Sequence, residues 1–270
     1  VPHEEMVQKS VEVRGLKVTV SSIDIPCSFG PAYEGERVRG ADLYAQMGGG
    51  KTQCTELVKM AEMNEIDDGQ VDIVGPDISE IKEGENLPLG IYVQVAGREF
   101  QTDFEPIIER QIHHLINYIQ GIMHIGQRDI SWIRVSKAAI EKGFTLKDLG
   151  TVLHAKFHQD FQKIVDKVQV TLYTQKKDVD ELTKRARGEY KTRDERVEKM
   201  TDEDVETYYS CTLCQSFAPN HVCTVSPERT GLCGAYNWMD CKASFEINPT
   251  GPNQPIEKGE CLDPVLGQWK

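Results

Sequence analysis

The sequence predicts an α+β fold, with a mixed α/β domain over residues 1–190 and a smaller, Cys-rich portion of a second α+β domain over 191–270. Three observations carry this expectation. In the first 185 residues, apolar side chains recur at every second position in some stretches and at helical spacing in others. A charge-dense stretch with few apolar residues follows. Beyond it, six of the eight cysteines crowd into the last 60 residues. A length of 270 residues exceeds one typical domain, and 39% hydrophobic with 27% charged residues excludes collagen-like and wholly disordered chains.

Along the chain, residues 11–25 (VEVRGLKVTVSSIDI) alternate apolar and polar side chains, interrupted at Gly15, and predict a half-buried strand or hairpin. Residues 26–50, rich in Gly, Pro and charge, predict an ordered loop. At its end MGGGKT invites a phosphate-loop reading, but Ala45 stands where the first glycine of that motif belongs, which leaves a glycine turn entering a helix. Leu57, Val58, Met60 and Ala61 recur at helical spacing after Thr52, so residues 52–64 predict that helix. Strands are expected over 71–75 (VDIVG) and 91–97 (IYVQVAG), punctuated by Pro76 and Pro88.

Residues 105–124 predict a long amphipathic helix through Ile107, Ile108, Ile112, Leu115, Ile116, Ile119 and Met123, with Pro106 suited to its first turn. A second helix is expected from Thr145 to Ile164 and a strand over 166–174. Residues 176–206 hold 9 basic and 11 acidic residues among 31, and predict a solvated, salt-bridge-laced helix joining the two units.

Charge narrows the function. Lys plus Arg is 31 and Asp plus Glu is 43, a net charge of −12, which argues against duplex nucleic-acid binding while allowing a local basic pocket for a phosphorylated ligand. No stretch approaches the ~20 apolar residues that cross a bilayer, and VPHEEMVQKS lacks the apolar core of a secretory signal. A soluble, cytoplasmic chain is expected, and the missing initiator Met suggests a processed chain or a piece of a longer one.

The cysteines carry the chemistry. Cys211, Cys214, Cys223 and Cys233 are spaced x2, x8 and x9. Two thiolates three positions apart can face one metal centre, and two more from the following loop can close a cage. Four thiolates suit a 4Fe–4S cluster or a structural zinc. The wide second half departs from paired zinc knuckles and leans toward the cluster, while a disulfide framework is least expected without secretion. Ser210, Thr212, Gln215 and Ser216 offer hydrogen bonds to the centre. Leu213, Phe217, Val222 and Leu232 could exclude water from it. Cys241 and Cys261 are expected to be structural thiols, and Cys27 and Cys54 are isolated.

Histidines give weaker signals. His154 and His158 lie four apart on an expected helix and could chelate a metal, but no third ligand is evident and a plain surface or core pair is expected. His113, His114 and His124 read as helix-packing residues. His221, inside the Cys loop, could tune a cluster by hydrogen bonding, although a loop-surface role is the simpler reading.

The run YYSCTLCQSFAPNHVCTVSPERTGLCGAYNWMDCKASFEINPTGP resembles the cluster-binding segment of the acetyl-CoA synthase family, the nickel–iron–sulfur subunits of carbon monoxide dehydrogenase/acetyl-CoA synthase systems. AYEGERVRGADLY (32–44), PLGIYVQVAGREFQTDFEP (88–106), GQRDISWIRVSK (126–137) and RDERV (193–197) resemble the same family, so the likeness covers nearly the whole chain. It implies that Cys211, Cys214, Cys223 and Cys233 hold a 4Fe–4S cluster and that Cys214 also bridges to a proximal nickel. Phe217 would lie over the nickel as an apolar cap.

The family's reaction joins carbon monoxide to a methyl group from a corrinoid iron–sulfur protein and passes the acetyl group to coenzyme A. A carbon monoxide dehydrogenase subunit is the implied partner. Trp132, flanked by Arg128 and Arg134, combines a stacking surface with phosphate-pairing guanidinium groups and resembles a segment associated with coenzyme A. One departure matters: the family's second nickel is held by a Cys-Gly-Cys tripeptide, and here the nearest string is Cys233-Gly234-Ala235. A middle domain with the opening of a cluster domain is therefore expected, unable to make acetyl-CoA alone. An iron–sulfur or zinc module, or a domain docking a corrinoid protein, is the alternative.

Overall fold

Two four-stranded sheets organise the first 175 residues in the computed structural model, which describes residues 23–270 apart from Asp129, Phe217, Pro264, Gly267 and Lys270. One sheet contains β1 (Leu43–Gly48), β4 (Asn86–Leu87), β6 (Ile122–Gln127) and β7 (Ile130–Ser136) in the order β4-β1-β7-β6. The other contains β2 (Cys54–Met60), β3 (Val71–Val74), β5 (Leu89–Ala96) and β8 (Lys167–Tyr173) in the order β2-β5-β8-β3. Both mix parallel and antiparallel pairs: β1 with β4, β2 with β5 and β3 with β8 are parallel. Four helices accompany them, α1 (Glu105–Asn117), α2 (Lys137–Glu141), α3 (Leu146–Asp160) and α4 (Lys176–Glu198). One core, including Met47, Val58, Ile91, Ile108, Ile112, Leu153 and Phe157, is shared by the two sheets with α1 and α3.

The strands expected over 71–75, 91–97 and 166–174 form as β3, β5 and β8, and the helix expected from Thr145 forms as α3 behind a Thr145–Asp148 capping box. The helix expected over 52–64 does not form. Its place is taken by β2, whose residues Cys54, Thr55, Glu56, Leu57 and Val58 are all buried. A strand covered on both faces loses the alternation that marks strands in sequence: Val58 points into the main core, while Leu57 packs against Leu182, Ala186 and Tyr190 of α4.

The loop expected over 26–50 is likewise interrupted by β1, which forms ladders with both β4 and β7. MGGGKT is the turn that carries the chain from β1 in one sheet to β2 in the other, neither a phosphate loop nor a helix entry. Gly48 has φ +76, and a Cβ there would fall 2.3 Å from the Ser131 carbonyl oxygen, so only glycine fits.

The helix expected over 105–124 stops at Asn117. There the Asn117 side chain accepts from the His124 amide and donates to the His124 carbonyl, each at 2.8 Å, pairing itself with incoming β6 as a strand would. Ile122, Met123 and His124 therefore belong to β6.

The charged helix forms as α4, but it is more than a solvated connector. Val179, Leu182, Ala186 and Tyr190 make a buried stripe at helical spacing over β2 and β5. Arg193 is then set between Glu105 at 3.1 Å and Glu109 at 3.2 Å. Arg196 pairs with Asp103, and Asp194 with Arg128, so the charged RDERV segment is largely committed to holding α4 in place.

The last part is built on a three-stranded antiparallel sheet of β9 (Thr207–Cys211), β10 (Cys223–Val225) and β11 (Asn253–Glu257), in the order β10-β9-β11. Helix α5 (Trp238–Ile247) packs on it, burying Cys241 with Tyr209 and Val225 and covering them with Trp238 and Phe245. A short pair, β12 (Cys261–Asp263) with β13 (Gln268–Trp269), follows. At 34% helix and 28% strand the chain is α+β, as expected. Among the described residues no helix is long and apolar enough to cross a membrane. The strand or hairpin expected over 11–25 lies outside the described residues except for 23–25.

Candidate metal centre

Cys211 ends β9 and Cys223 begins β10, and the two stand directly opposite each other in the antiparallel register. Residues so paired put their Cβ atoms about 4.5–5.5 Å apart on one face of the sheet. Cys214 follows in a 3₁₀ turn, Leu213–Ser216, latched by the Ala218 amide on the Cys214 carbonyl at 2.8 Å. Cys233 sits in a second turn, where the Gly234 amide donates to the Gly231 carbonyl at 2.8 Å and Gly234 takes φ +68. A strand pair thus sets Cys211 beside Cys223, while Cys214 and Cys233 are carried on two tight turns.

The electrostatics tie three of these sulfurs together. Burial pushes the Cys211 thiol up, against the Leu213 amide and the Asn253 side chain, and the neighbouring Cys223 and Cys233 sulfurs push it further. The His221 ring Nε2 lies 3.2 Å from Cys223 Sγ, and the Ala235 amide donates to Cys233 Sγ at 3.4 Å. Hydrogen bonds to ligating sulfur are among the main controls on a cluster's potential.

Among the described residues no three cysteine sulfurs lie within 4.8 Å of one another. Four thiolates as such suit either a 4Fe–4S cluster or a zinc ion.

Several expected neighbours are elsewhere. Leu213, Val222 and Leu232 are 43%, 52% and 84% exposed, so they rim the centre on loop tips and do not seal it. Phe217 lies outside the described residues, and of the Ser216 side chain nothing is described. The Ser210 and Thr212 hydroxyls bond the carbonyls of Gln254 and Pro252, and sulfur contacts come instead from His221, from the Asn253 side chain and from backbone amides. Cys241 is fully buried and accepts from Asn253 Nδ2 at 3.2 Å, as suits a structural thiol, whereas Cys261 is exposed on β12.

Arg134 stacks on Trp132, its guanidinium carbon 4.5 Å from the ring centroid, while its Nε donates to Gln46 at 2.9 Å. Arg128 is not part of that pair. It forms a bidentate ion pair with Asp194, both contacts 2.8 Å, and lines a groove of mixed charge with Arg187, Tyr190, Lys191, Asp194, Glu195 and Glu198 of α4.

Two groups of residues escaped the sequence reading. Arg110 of α1 donates to the Ala235 carbonyl at 2.7 Å and to Asp240 at 2.9 Å, and stacks on Tyr236, so it fastens the turn that follows Cys233. The Asn237–Asp240 capping box was the available signal for the acidic partner. Between the sheets, Glu56 accepts from Ser131 at 2.7 Å and bonds the buried His124 ring, with Cys54 Sγ 3.2 Å from the same serine oxygen. Burial and the neighbouring Glu56 push the Cys54 thiol up to about 12, so it stays protonated and inert.

Residues 25–179 match the family described as "CO dehydrogenase/acetyl-CoA synthase complex beta subunit", and residues 190–270 match the family of the C-terminal part of the ACS/CODH beta subunit. Among curated relatives, the carbon monoxide dehydrogenase/acetyl-CoA synthase subunit alpha of Moorella thermoacetica is 53% identical over 99% of this chain and 37% of its own length. The acetyl-CoA decarbonylase/synthase complex subunit beta of Methanopyrus kandleri is 46% identical over 93% of this chain and 54% of its own length. The chain thus spans between about a third and about half of these relatives. With consecutive family matches along both its parts, the chain belongs to the CO dehydrogenase/acetyl-CoA synthase complex beta subunit family.

Proposed function

We propose that this chain supplies the cluster-holding part of an acetyl-CoA synthase, with Cys211, Cys214, Cys223 and Cys233 ligating a 4Fe–4S cluster. The observation that carries this reading is the facing of Cys211 and Cys223 across β9 and β10, with Cys233 near enough to raise the Cys211 thiol. Cys214, half-buried on the turn after β9, is assigned the bridge to a nickel on the strength of the family resemblance. When bound, the cluster and nickel supply the soft metal site at which carbon monoxide, a methyl group and coenzyme A are combined.

The chain's own residues then have separate tasks. The strand pair and the two turns orient the thiolates. His221 and the Ala235 amide stabilise charge on sulfur. Phe217 caps the nickel position against water. The stacked Trp132 and Arg134, with Arg128, contact the adenine and phosphates of coenzyme A. Part of that task is for the ligand to displace Asp194 from Arg128. A division of labour near residue 190, where one family match gives way to the next, belongs to the same proposal. So do a carbon monoxide dehydrogenase subunit and a corrinoid iron–sulfur protein as partners, and a cytoplasmic setting that keeps the thiols reduced.

No Cys-Gly-Cys occurs in the 270 residues, so this reading predicts no acetyl-CoA synthesis by the chain alone. The test joins to this chain the part of a relative that carries the tripeptide and assays nickel-dependent acetyl-CoA formation. Synthesis by the joined chain, and none by the chain alone, supports the reading. A joined chain that holds iron and nickel but stays inactive would favour an electron-transfer module.

A further inference from the structure

The helix-borne pair His154 and His158 acquires in the structure the third ligand that sequence spacing did not reveal. On α3 the two rings stand one turn apart, their centroids 4.7 Å from each other. Both Nε2 atoms aim at one oxygen of Asp68, at 3.1 Å and 2.7 Å. The same Oδ1 also accepts the Val168 amide of β8 at 3.0 Å. Three donors therefore converge on a single carboxylate oxygen, more than its two lone pairs accommodate well. Two imidazoles held for hydrogen bonding alone have a second carboxylate oxygen to share.

The three ligand atoms lie within 4.8 Å of one another. Metal–nitrogen and metal–oxygen bonds of about 2.0–2.2 Å place such ligands about 3.4 Å apart in a tetrahedron. Both ring nitrogens now stand closer than that to the Asp68 oxygen, so admitting an ion needs these contacts to open by about 0.3 and 0.7 Å, which the half-buried rings and exposed carboxylate can supply.

We infer that Asp68, His154 and His158 form a site for a first-row divalent cation of the zinc, nickel and cobalt class, distinct from the four-cysteine centre. Two imidazoles and one carboxylate match the donor preference of those ions and leave positions open to water. The site spans three segments: His154 and His158 on α3, Asp68 before β3, and through its amide bond β8. Occupancy therefore clamps α3 to the edge of the second sheet. Magnesium and calcium, which demand more oxygen ligands, are not expected to bind.

The test adds zinc anaerobically to the full chain labelled with ¹⁵N-histidine and follows the side-chain nitrogens by NMR. Metal taken up by the cysteines registers at His221, whose ring lies 3.2 Å from Cys223 Sγ, and is told apart by which rings respond. The rings of His154 and His158 are expected to shift together and to saturate with one equivalent beyond the cysteine-bound metal. Asp68→Ala is expected to weaken that response at least tenfold, and zinc added beyond the cysteine-bound equivalent to raise the melting temperature of the wild type but not of a His154→Ala/His158→Ala variant. Rings that do not respond at about 1 mM zinc, or a response unchanged in Asp68→Ala, would overturn the site.

Discussion

Arg110 and Asp240 form an ion pair of 2.9 Å between α1, in the first part of the chain, and the capping box of α5, in the second. Asp240 is nearly buried and Arg110 mostly so, and the same guanidinium holds the Ala235 carbonyl two residues after Cys233. The turn carrying one proposed cluster ligand is thereby anchored on the other half of the molecule. Arg110→Ala leaves the Asp240 carboxylate without its partner and frees the turn. A loss of about 2–3 kcal/mol is expected from chemical denaturation, together with faster loss of iron from a reconstituted cluster. Arg110→Lys keeps the charge but not the fork, and should recover part of the stability while still releasing the turn.

Gly126 is pinned by the buried Glu56–His124 pair. A Cβ at this position would sit 2.7 Å from His124 Cε1 and 2.9 Å from Glu56 Oε1. Gly126→Ala should therefore destabilise by about 1–3 kcal/mol, read as a lowered denaturation midpoint at unchanged slope. Gly188 is the control. It lies on the exposed side of α4 with nothing within 4 Å of where a methyl group would stand, and Gly188→Ala should stabilise by about 0.5–1 kcal/mol.

Acid sensitivity should centre on His113. Burial, reinforced by the neighbouring His124 and His114 rings, holds it down to about 4, below the ordinary 6.5. Between those values the unfolded chain binds a proton that the folded chain refuses, so stability falls as pH drops from about 6.5 to about 4. Glu56 adds to the loss at lower pH. Burial alone would raise its carboxyl, but the His124 ring and the Ser131 hydroxyl outweigh burial and hold it below its usual range. Its contribution is present above the unfolded carboxylate value and disappears as pH falls through the folded one. His113→Gln should flatten the upper part of the profile by about 1–2 kcal/mol, allowing for solvent screening at a ring that remains partly exposed.

His221 should tune the proposed cluster without being needed to hold it. Replacing it with Ala removes the donor 3.2 Å from Cys223 Sγ, and the lost hydrogen bond leaves more charge on sulfur. The reconstituted variant is expected to keep its iron content while its reduction potential moves to a more negative value in anaerobic titration.

What the sequence made legible follows its periodicities and its spacing. The strands β3, β5 and β8 and the capped helix α3 were readable because each shows one clean pattern with punctuation at its ends. β2 was not, because burial of both faces, with Glu56 and Thr55 tied to distant side chains, erased the alternation. The end of α1 was hidden as well. Ile119 and Met123 continue the helical spacing, while Gly121, at φ +80, and the two bonds between Asn117 and His124 mark the change to strand. The spacing of four cysteines drew attention to them, whereas Arg110, Asp68 and Glu56 act through contacts 130, 86 and 68 positions away in the chain, where local pattern carries no information.

The most direct test of the four-thiolate centre is anaerobic reconstitution of the 270-residue chain, with iron, sulfide and zinc counted and the reduced protein examined by electron paramagnetic resonance. About four iron and four sulfide per chain are expected, with the signal lost in Cys211→Ser and Cys223→Ser. A chain that takes up one zinc and no sulfide, or one that keeps its iron when both cysteines are replaced, would contradict the cluster.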